Sequence, residues 1–400
     1  MLEIGRAMHA LGSPSYRVED SMDACCRALG LQGSFFSTPT AIMAALGERG
    51  GEATTHLLRV QPGAHDLGRL AELYAIRDLV VGGRLSPQDG LLRVQAVMAS
   101  PSQQRPMLDV LAHGLAGAGA GVLFGGGALE VAVAGVAGLV VGLISIVSSW
   151  RPGLGDVQAP LACAVVAFLV HLAAACGLAV DATVATFAAI VVLLPGLSFT
   201  TALAELAMRH LASGSARLMG TLAVLLTMAV GVGIGDRCAE ALVGALTPPV
   251  VDRLPLAWHL LALASTWIAF VILLRARRNQ TLWMLLAVAI GYGGARLGAE
   301  VLGRELGAFV GALGVALAAN VFARWQRRPA AVMRTPGLML LVPGSLGLRG
   351  LTTALSDSSQ SVPFLFQMAL VGGSIVAGLL MAGVLLPPPL DVEPDSRRLA

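Results

Sequence analysis

Two short runs carry residues able to do chemistry in an otherwise apolar background. Leu193-Leu194-Pro195-Gly196-Leu197-Ser198 is echoed 148 residues later by Leu341-Val342-Pro343-Gly344-Ser345. A proline inside a helix removes a backbone donor and clashes with the preceding turn, and a following glycine permits a sharp bend. Carbonyls before the break lose their partners. After it, a new helix N-terminus offers free N–H groups and the positive end of a dipole. Small hydroxyls follow: Ser198, Thr200 and Thr201 in one run, Ser345 and then Thr352 and Thr353 in the other. Pro195, Gly196, Ser198, Thr200, Thr201, Pro343, Gly344 and Ser345 are therefore the candidate substrate-binding residues. They suit a small zwitterion whose carboxylate meets the N–H groups. The plainer alternative is a structural kink filled by neighbouring hydroxyls.

Ionisable residues within an apolar body are functional candidates by default. Glu205 follows Gly196 by nine residues and is a candidate proton carrier. Its alternative is pairing with Arg209 one helical turn on. Glu130, after Gly125-Gly126-Gly127, is the second proton-coupling candidate, with an exposed turn residue as its alternative. No catalytic residue is identified: His56, His65 and Asp66 are the only His/Asp neighbourhood in the first hundred residues, and a capping Asp beside a surface His explains it. Five cysteines, Cys25 and Cys26 adjacent, show no metal or redox spacing and read as small apolar fillers. No metal and no cofactor is expected.

The elements that must hold these residues divide in two. The 400 residues are 56% hydrophobic and 13% charged, against roughly 25% charged in a soluble domain. Residues 1–110 nevertheless hold 10 of the 27 arginines and 11 of the 24 acids. This pattern predicts a water-soluble N-terminal domain, 1–108, and a membrane-embedded body. In the domain, Ser13-Pro14 predicts a helix with Pro at its first position. Ser34–Thr38, Ala41–Leu46 and His56–Val60 read as strands. Asp66 caps a second helix up to Gly82-Gly83, and Ser86-Pro87-Gln88-Asp89 opens a third. The domain reads as a small α+β module with its own core. Residues 1–20 lack an apolar run, so no cleavable signal peptide is expected.

Ten apolar stretches follow: 110–129, 131–150, 157–180, 182–204, 218–235, 254–274, 279–295, 306–323, 335–348 and 358–390. With the N-terminal domain inside, inner loops and tail hold 12 arginines and outer loops 5. Ten helices with both termini cytoplasmic fit that count. The 148-residue offset maps the second, third and fifth helices onto the seventh, eighth and tenth. Each half then has five helices, 109–253 and 254–390, with a tail at 391–400. An odd number inverts the second half, the architecture of secondary transporters. The predicted fold class is thus a polytopic α-helical membrane protein of two inverted five-helix repeats with a cytoplasmic α+β domain. The bilayer is a partner, and a homo-oligomer is compatible with the sequence. The net charge of +3 is too small and too scattered for nucleic acid.

Several of these runs are familiar together. Ser13-Pro14-Ser15-Tyr16-Arg17-Val18-Glu19, Ala28-Leu29-Gly30-Leu31 and Phe36-Ser37-Thr38-Pro39-Thr40 resemble the N-terminal domain of the bacterial threonine/serine exporter family. So do Leu123-Phe124-Gly125-Gly126, Leu194-Pro195-Gly196, Glu205-Leu206, Ser213-Gly214 and Arg217-Leu218 in the first half of the body. Pro336-Gly337, Leu341-Val342-Pro343-Gly344-Ser345 and Gly350-Leu351 continue the match in the second. The resemblance covers nearly the whole chain, with both halves fused. It implies export of the small amino acids L-threonine and L-serine across the bacterial inner membrane, driven by the proton motive force. Export of small dicarboxylates such as succinate, as by related two-component members, is the alternative on the same scaffold. A membrane-anchored sensor working through the N-terminal domain is the alternative from another class; the paired Pro-Gly breaks favour transport. An enzyme is not expected.

Overall fold

The computed structural model describes residues 1–387 apart from 49–50, 64, 101–104, 245–248, 250, 253 and 356–357. The expected tail 391–400, with Arg397 and Arg398, and the turn residues Arg253 and Asp357 lie outside the described residues.

The N-terminal domain is built from α1 (Leu2–Ala10), α2 (Ser15–Ala28), β1 (Gln32–Thr38), β2 (Ala41–Gly47), β3 (Thr54–Arg59), α3 (Leu67–Val81) and α4 (Pro87–Ala99). The strands form an antiparallel meander in the order β1-β2-β3, with Phe36 opposite Met43 and Ile42 opposite Leu58. Side chains alternate across it, so Ile42 and Ala44 are sealed against the helices while Met43 faces out. Asp66 accepts from the Arg69 N–H and Ser86 from the Asp89 N–H, capping α3 and α4 as their sequences require. Two expectations change. Pro14 is the extended cap of α2 rather than its first helical residue. Residues 2–10, given no element from sequence, form α1, whose Ile4, Ala7 and Met8 recur at helical spacing and are buried.

The body continues with α5 (Pro106–Leu123), α6 (Ala128–Trp150), the single turn α7 (Pro152–Gly155), α8 (Gln158–Ala175), α9 (Ala182–Ala189), α10 (Gly196–Ala207) and α11 (Leu211–Val243). Then come α12 (Ala257–Leu273), α13 (Thr281–Leu302), α14 (Arg304–Gln326), α15 (Ala331–Leu341), α16 (Gly344–Ala354) and α17 (Ser358–Leu385). Among the described residues, eight helical segments are long and apolar enough to cross a membrane, α15–α16 counting as one. The pair α9–α10, bent by 52°, makes nine, and α12 is apolar but only 17 residues long. The stretch 182–204, expected as one helix, is therefore broken: α9 ends at Ala189, a 3-10 turn covers Val191–Leu193, and α10 starts at Gly196.

Small residues let these helices approach closely, as packing in lipid demands. A Cβ on Gly117 would lie 2.5 Å from the Ala134 carbonyl oxygen, and one on Gly138 2.6 Å from that of His113, so α5 and α6 touch backbone to backbone. Helices 148 residues apart keep corresponding neighbours. α8 packs on α11 as α14 packs on α17, and α10 on α11 as α16 on α17. The halves also interlock crosswise, α16 against α11 and α10 against α17.

The core of the N-terminal domain is not closed on itself. Met8, Met22, Ile42, Leu67 and Leu73 belong to one apolar cluster with Phe270, Leu274, Met284 and Val288 of α12, α13 and the turn between them. Ten spans with the N-terminal domain inside place the turn between α11 and α12 outside. A reporter fused after residue 244 should read as external and one after residue 278 as internal. The reverse pattern would remove the ten-span topology.

Candidate functional site

The two Pro-Gly breaks meet. Pro195 caps α10 and Pro343 caps α16, so each glycine is the first residue of a new helix. A Cβ on Gly344 would lie 3.4 Å from Gly196 Cα and 3.5 Å from its nitrogen. One on Gly196 would lie 2.0 Å from Val342 Cγ1. The missing side chains serve the crossing of two backbones, rather than the approach of a solute alone. Two helix N-termini thus converge, each with first-turn N–H groups lacking intrahelical partners.

From this crossing the hydroxyls separate. Thr200 and Thr201 line a cavity of about 1290 Å³ that lies between the N-terminal domain and the body. Thr200 is only 1% exposed, and its Oγ1 has no hydrogen-bond partner. A buried hydroxyl without a partner costs free energy unless something else fills its place. Ser198 and Ser345 are half-buried and do not line this cavity. In the second half Thr352 bonds back to the Leu348 and Arg349 carbonyls. Arg349 sits within α16 with its guanidinium over the rings of Phe187 and Phe364, 5.9 and 5.8 Å from their centroids.

Glu205 is fully buried, and its partner is Arg217, not Arg209. Arg217 Nε donates to Oε2 at 3.1 Å and Nη2 to Oε1 at 3.2 Å. Oε2 also accepts from the Ser213 hydroxyl at 2.8 Å, and Oε1 from the Ser15 N–H at 2.9 Å. Ser15 is the first residue of α2, so the carboxylate of α10 caps a helix of the N-terminal domain. Arg209 cannot reach it because it holds a left-handed φ of 67° at the corner where α10 turns into α11. Sequence reading missed this four-donor arrangement because Ser15 and Arg217 lie 190 and 12 residues from Glu205.

Glu130 is buried, not an exposed turn residue. Its Oε2 accepts from the Gly127 N–H and its Oε1 from the Asp181 N–H, both at 2.8 Å. It closes the start of α6 and ties it to the start of α9.

A second attachment joins α3 to the α12–α13 turn: the Leu67 N–H donates to the Leu274 carbonyl at 2.9 Å, and Arg277 pairs with Glu72. The N-terminal domain therefore bridges two points of the body, with the cavity between them.

Two predictions follow from this geometry. Gly196→Ala must displace stiff Val342 and should cost about 1–3 kcal/mol as an overpacked site. Gly344→Ala, whose nearest neighbour would be Leu194 Cβ at 3.2 Å, should cost less. Thermal melts of the purified variants compare them, and Val342→Ala should rescue Gly196→Ala. The second concerns pH. Burial, reinforced by the Arg217 guanidinium, lowers the pKa of both His65 and His9 from 6.5, although a hydrogen bond to the Thr38 carbonyl opposes this at His9. Each histidine binds its proton more readily unfolded than folded. Their contribution is intact above the unfolded value and is lost as pH falls through it toward the lowered folded values. Melting temperature should drop between pH 7.5 and 5.5, and His9→Gln with His65→Gln should flatten that slope.

The pheromone-regulated membrane protein 10 of Candida albicans (strain WO-1) is 24% identical over 97% of this chain and 38% of its own length. The proteins of the same name from Yarrowia lipolytica (strain CLIB 122 / E 150) and Saccharomyces cerevisiae (strain YJM789) are 25% and 23% identical. They cover 90% and 97% of this chain, and 31% and 54% of their own lengths. The chain thus spans between a third and about half of these longer relatives. No solved structure matches it. Residues 1–237 match the model of the threonine/serine exporter family, and residues 259–385 match a second threonine/serine exporter model. With more than half its length matched by the first model alone, this membrane protein belongs to the threonine/serine exporter family.

Proposed function

We propose that the chain is a secondary exporter of small amino acids, L-threonine and L-serine, driven by the proton motive force. In this reading it lies in a bacterial inner membrane with both termini cytoplasmic, and its two five-helix halves are inverted repeats. The single observation that carries the reading is the meeting of the two Pro-Gly breaks beneath a cavity that reaches Thr200. The glycines themselves do not line the cavity, but Leu197, Thr200 and Thr201 of α10 do, so a solute entering from the N-terminal side would approach the start of that helix and the buried Thr200 hydroxyl. In this reading the cavity opens on the cytoplasmic side; of the second half's hydroxyls Thr335 lines it, while Ser345, Thr352 and Thr353 do not.

Glu205 links this site to the proton in the proposed mechanism. A proton on its carboxyl removes the charge that holds Arg217 and weakens its grip on Ser15. Breaking a buried pair from one side costs roughly 3–5 kcal/mol. Protonation would therefore loosen the N-terminal domain from α10, the helix that starts at the break. Glu130, tied to two backbone N–H groups, would serve by fixing α6 to α9 instead.

Export of small dicarboxylates is the second reading, favoured by the arginines that line the cavity. Counterflow in proteoliposomes with labelled threonine, serine and succinate decides between the two. Threonine and serine should exchange on the first reading, and succinate alone on the second. Exchange of none would remove both.

Thr200→Val supplies a sharper test, because the hydroxyl has no hydrogen-bond partner among the described residues. The substitution should leave melting temperature unchanged or raised, since an unsatisfied polar group is removed. Substrate affinity should fall by about 2- to 13-fold, one neutral hydrogen bond of roughly 0.5–1.5 kcal/mol. In the same assay Glu205→Gln should keep exchange while losing pH-driven accumulation.

A further inference from the structure

The cavity between the N-terminal domain and the body is lined by seven arginines and one acid. Arg17, Arg77 and Arg84 come from the N-terminal domain; Arg324, Arg327, Arg328 and Arg334 come from α14, α15 and the turn between them. The acid, Asp78, is already bound by Arg77 at 2.7 Å. A bias of positive charge toward cytoplasmic loops accounts for the second group. It does not account for a water-soluble domain turning three more arginines toward the same space.

Like charges in such excess over acids repel, and some of these are held at a cost. Arg327 adopts a left-handed φ of 50°, where a glycine would be unstrained. Arg334 faces Arg17 and Tyr16 across the seam, and its buried Nε has no partner. The side chains of Arg84, Arg327 and Arg328 make no hydrogen bond or ion pair among the described residues. Planar guanidinium groups converging from two sides fit an oxyanion that each can grip with two N–H groups. The volume of about 1290 Å³ exceeds the 300–1,000 Å³ usual for a small-molecule pocket. A free amino acid, neutral overall, would not balance that charge, and neither it nor a single dicarboxylate would fill that space. A phosphate group brings roughly 1.5–2 negative charges and three acceptor oxygens.

We propose that this seam is a binding site for a phosphate-bearing anion, held between the N-terminal domain and the ends of α14 and α15. Its occupant sits over Thr200 and Thr201, so it competes with any solute entering from that side. The competition rests on the export reading above; the binding does not.

The test uses the full chain in phosphatidylcholine nanodiscs, titrated calorimetrically with sodium tripolyphosphate. One saturable site is expected, with succinate at the same concentration failing to displace the probe. Arg327→Gln with Arg328→Gln, and separately Arg84→Gln, should weaken binding at least about tenfold for the pair, by loss of charge-assisted hydrogen bonds. Melting temperature checks that each variant is folded. Arg151→Gln, exposed before α7 and outside the cavity, should bind as wild type. Absence of saturable binding, wild-type affinity in the folded Arg327/Arg328 variant, an equal loss in Arg151→Gln, or displacement by succinate would each overturn the site. Repeating the titration with phosphatidylglycerol in the nanodisc identifies the source of the phosphate. Retained binding assigns it to a soluble anion, and competition by the lipid assigns it to a headgroup.

Discussion

Gly196 and Gly344 meet because neither has a side chain, and most of the body is arranged around that contact. A proline ahead of each glycine ends one helix and releases the next in a new direction. The 52° bend between α9 and α10 is the visible result in the first half. Because the two breaks touch, α10 and α16 leave a common point. α10 runs to the N-terminal domain, while α16 runs back along α11. Leu225 of α11 and Leu348 of α16 are sealed in the same apolar cluster with Phe199 and Met368, so the crossing is anchored in the packing of both halves. A Cβ at position 196 would strike Val342, which makes the position intolerant of even the smallest enlargement.

The N-terminal domain depends on the same helix. Glu205 lies about two and a half turns beyond the crossing on α10 and caps α2 with one oxygen while both oxygens bind Arg217. Four donors on one carboxylate leave little freedom at this joint. The second attachment, at Leu67 and Leu274, is a backbone hydrogen bond set in a shared apolar cluster. The first attachment is a buried ion pair, and the second combines a backbone hydrogen bond, apolar packing and the more exposed Arg277–Glu72 pair.

The legible parts of this structure are those written in local residue types. Pro195-Gly196 and Pro343-Gly344 announced their breaks because those residues constrain the backbone whatever surrounds them. Asp66 and Ser86 announced their caps because a cap needs only its own first turn. α1 lacked a cap or breaker before it, and the absence of a signal-like run drew the reading away from its Ile4, Ala7 and Met8 spacing. The cavity was illegible for a different reason. Its lining comes from α2, α3, α10, α14, α15 and α17, and no pattern within one segment foretells that convergence. Glu205 shows the limit most clearly. Spacing on a regular helix points to Arg209, but the left-handed turn at Arg209 sends the chain back and brings Arg217 alongside.

The two halves repeat in backbone but not in side chains, and that difference bears on direction. At the 148-residue offset, Thr200 and Thr201 correspond to Leu348 and Arg349, Glu205 to Thr353, and Arg217 to Leu365. The first half carries the free hydroxyl and the ionic joint. The second half puts an arginine over two phenylalanine rings in the matching place. Unequal side chains set different holding energies on the two sides: a buried ion pair sensitive to protonation on one, and a cation on aromatic faces on the other. On the export reading, a proton can loosen only the first. The bias that would make such a carrier directional then resides in Glu205 and Arg217, which have no counterpart at the matching positions Thr353 and Leu365 of the second half.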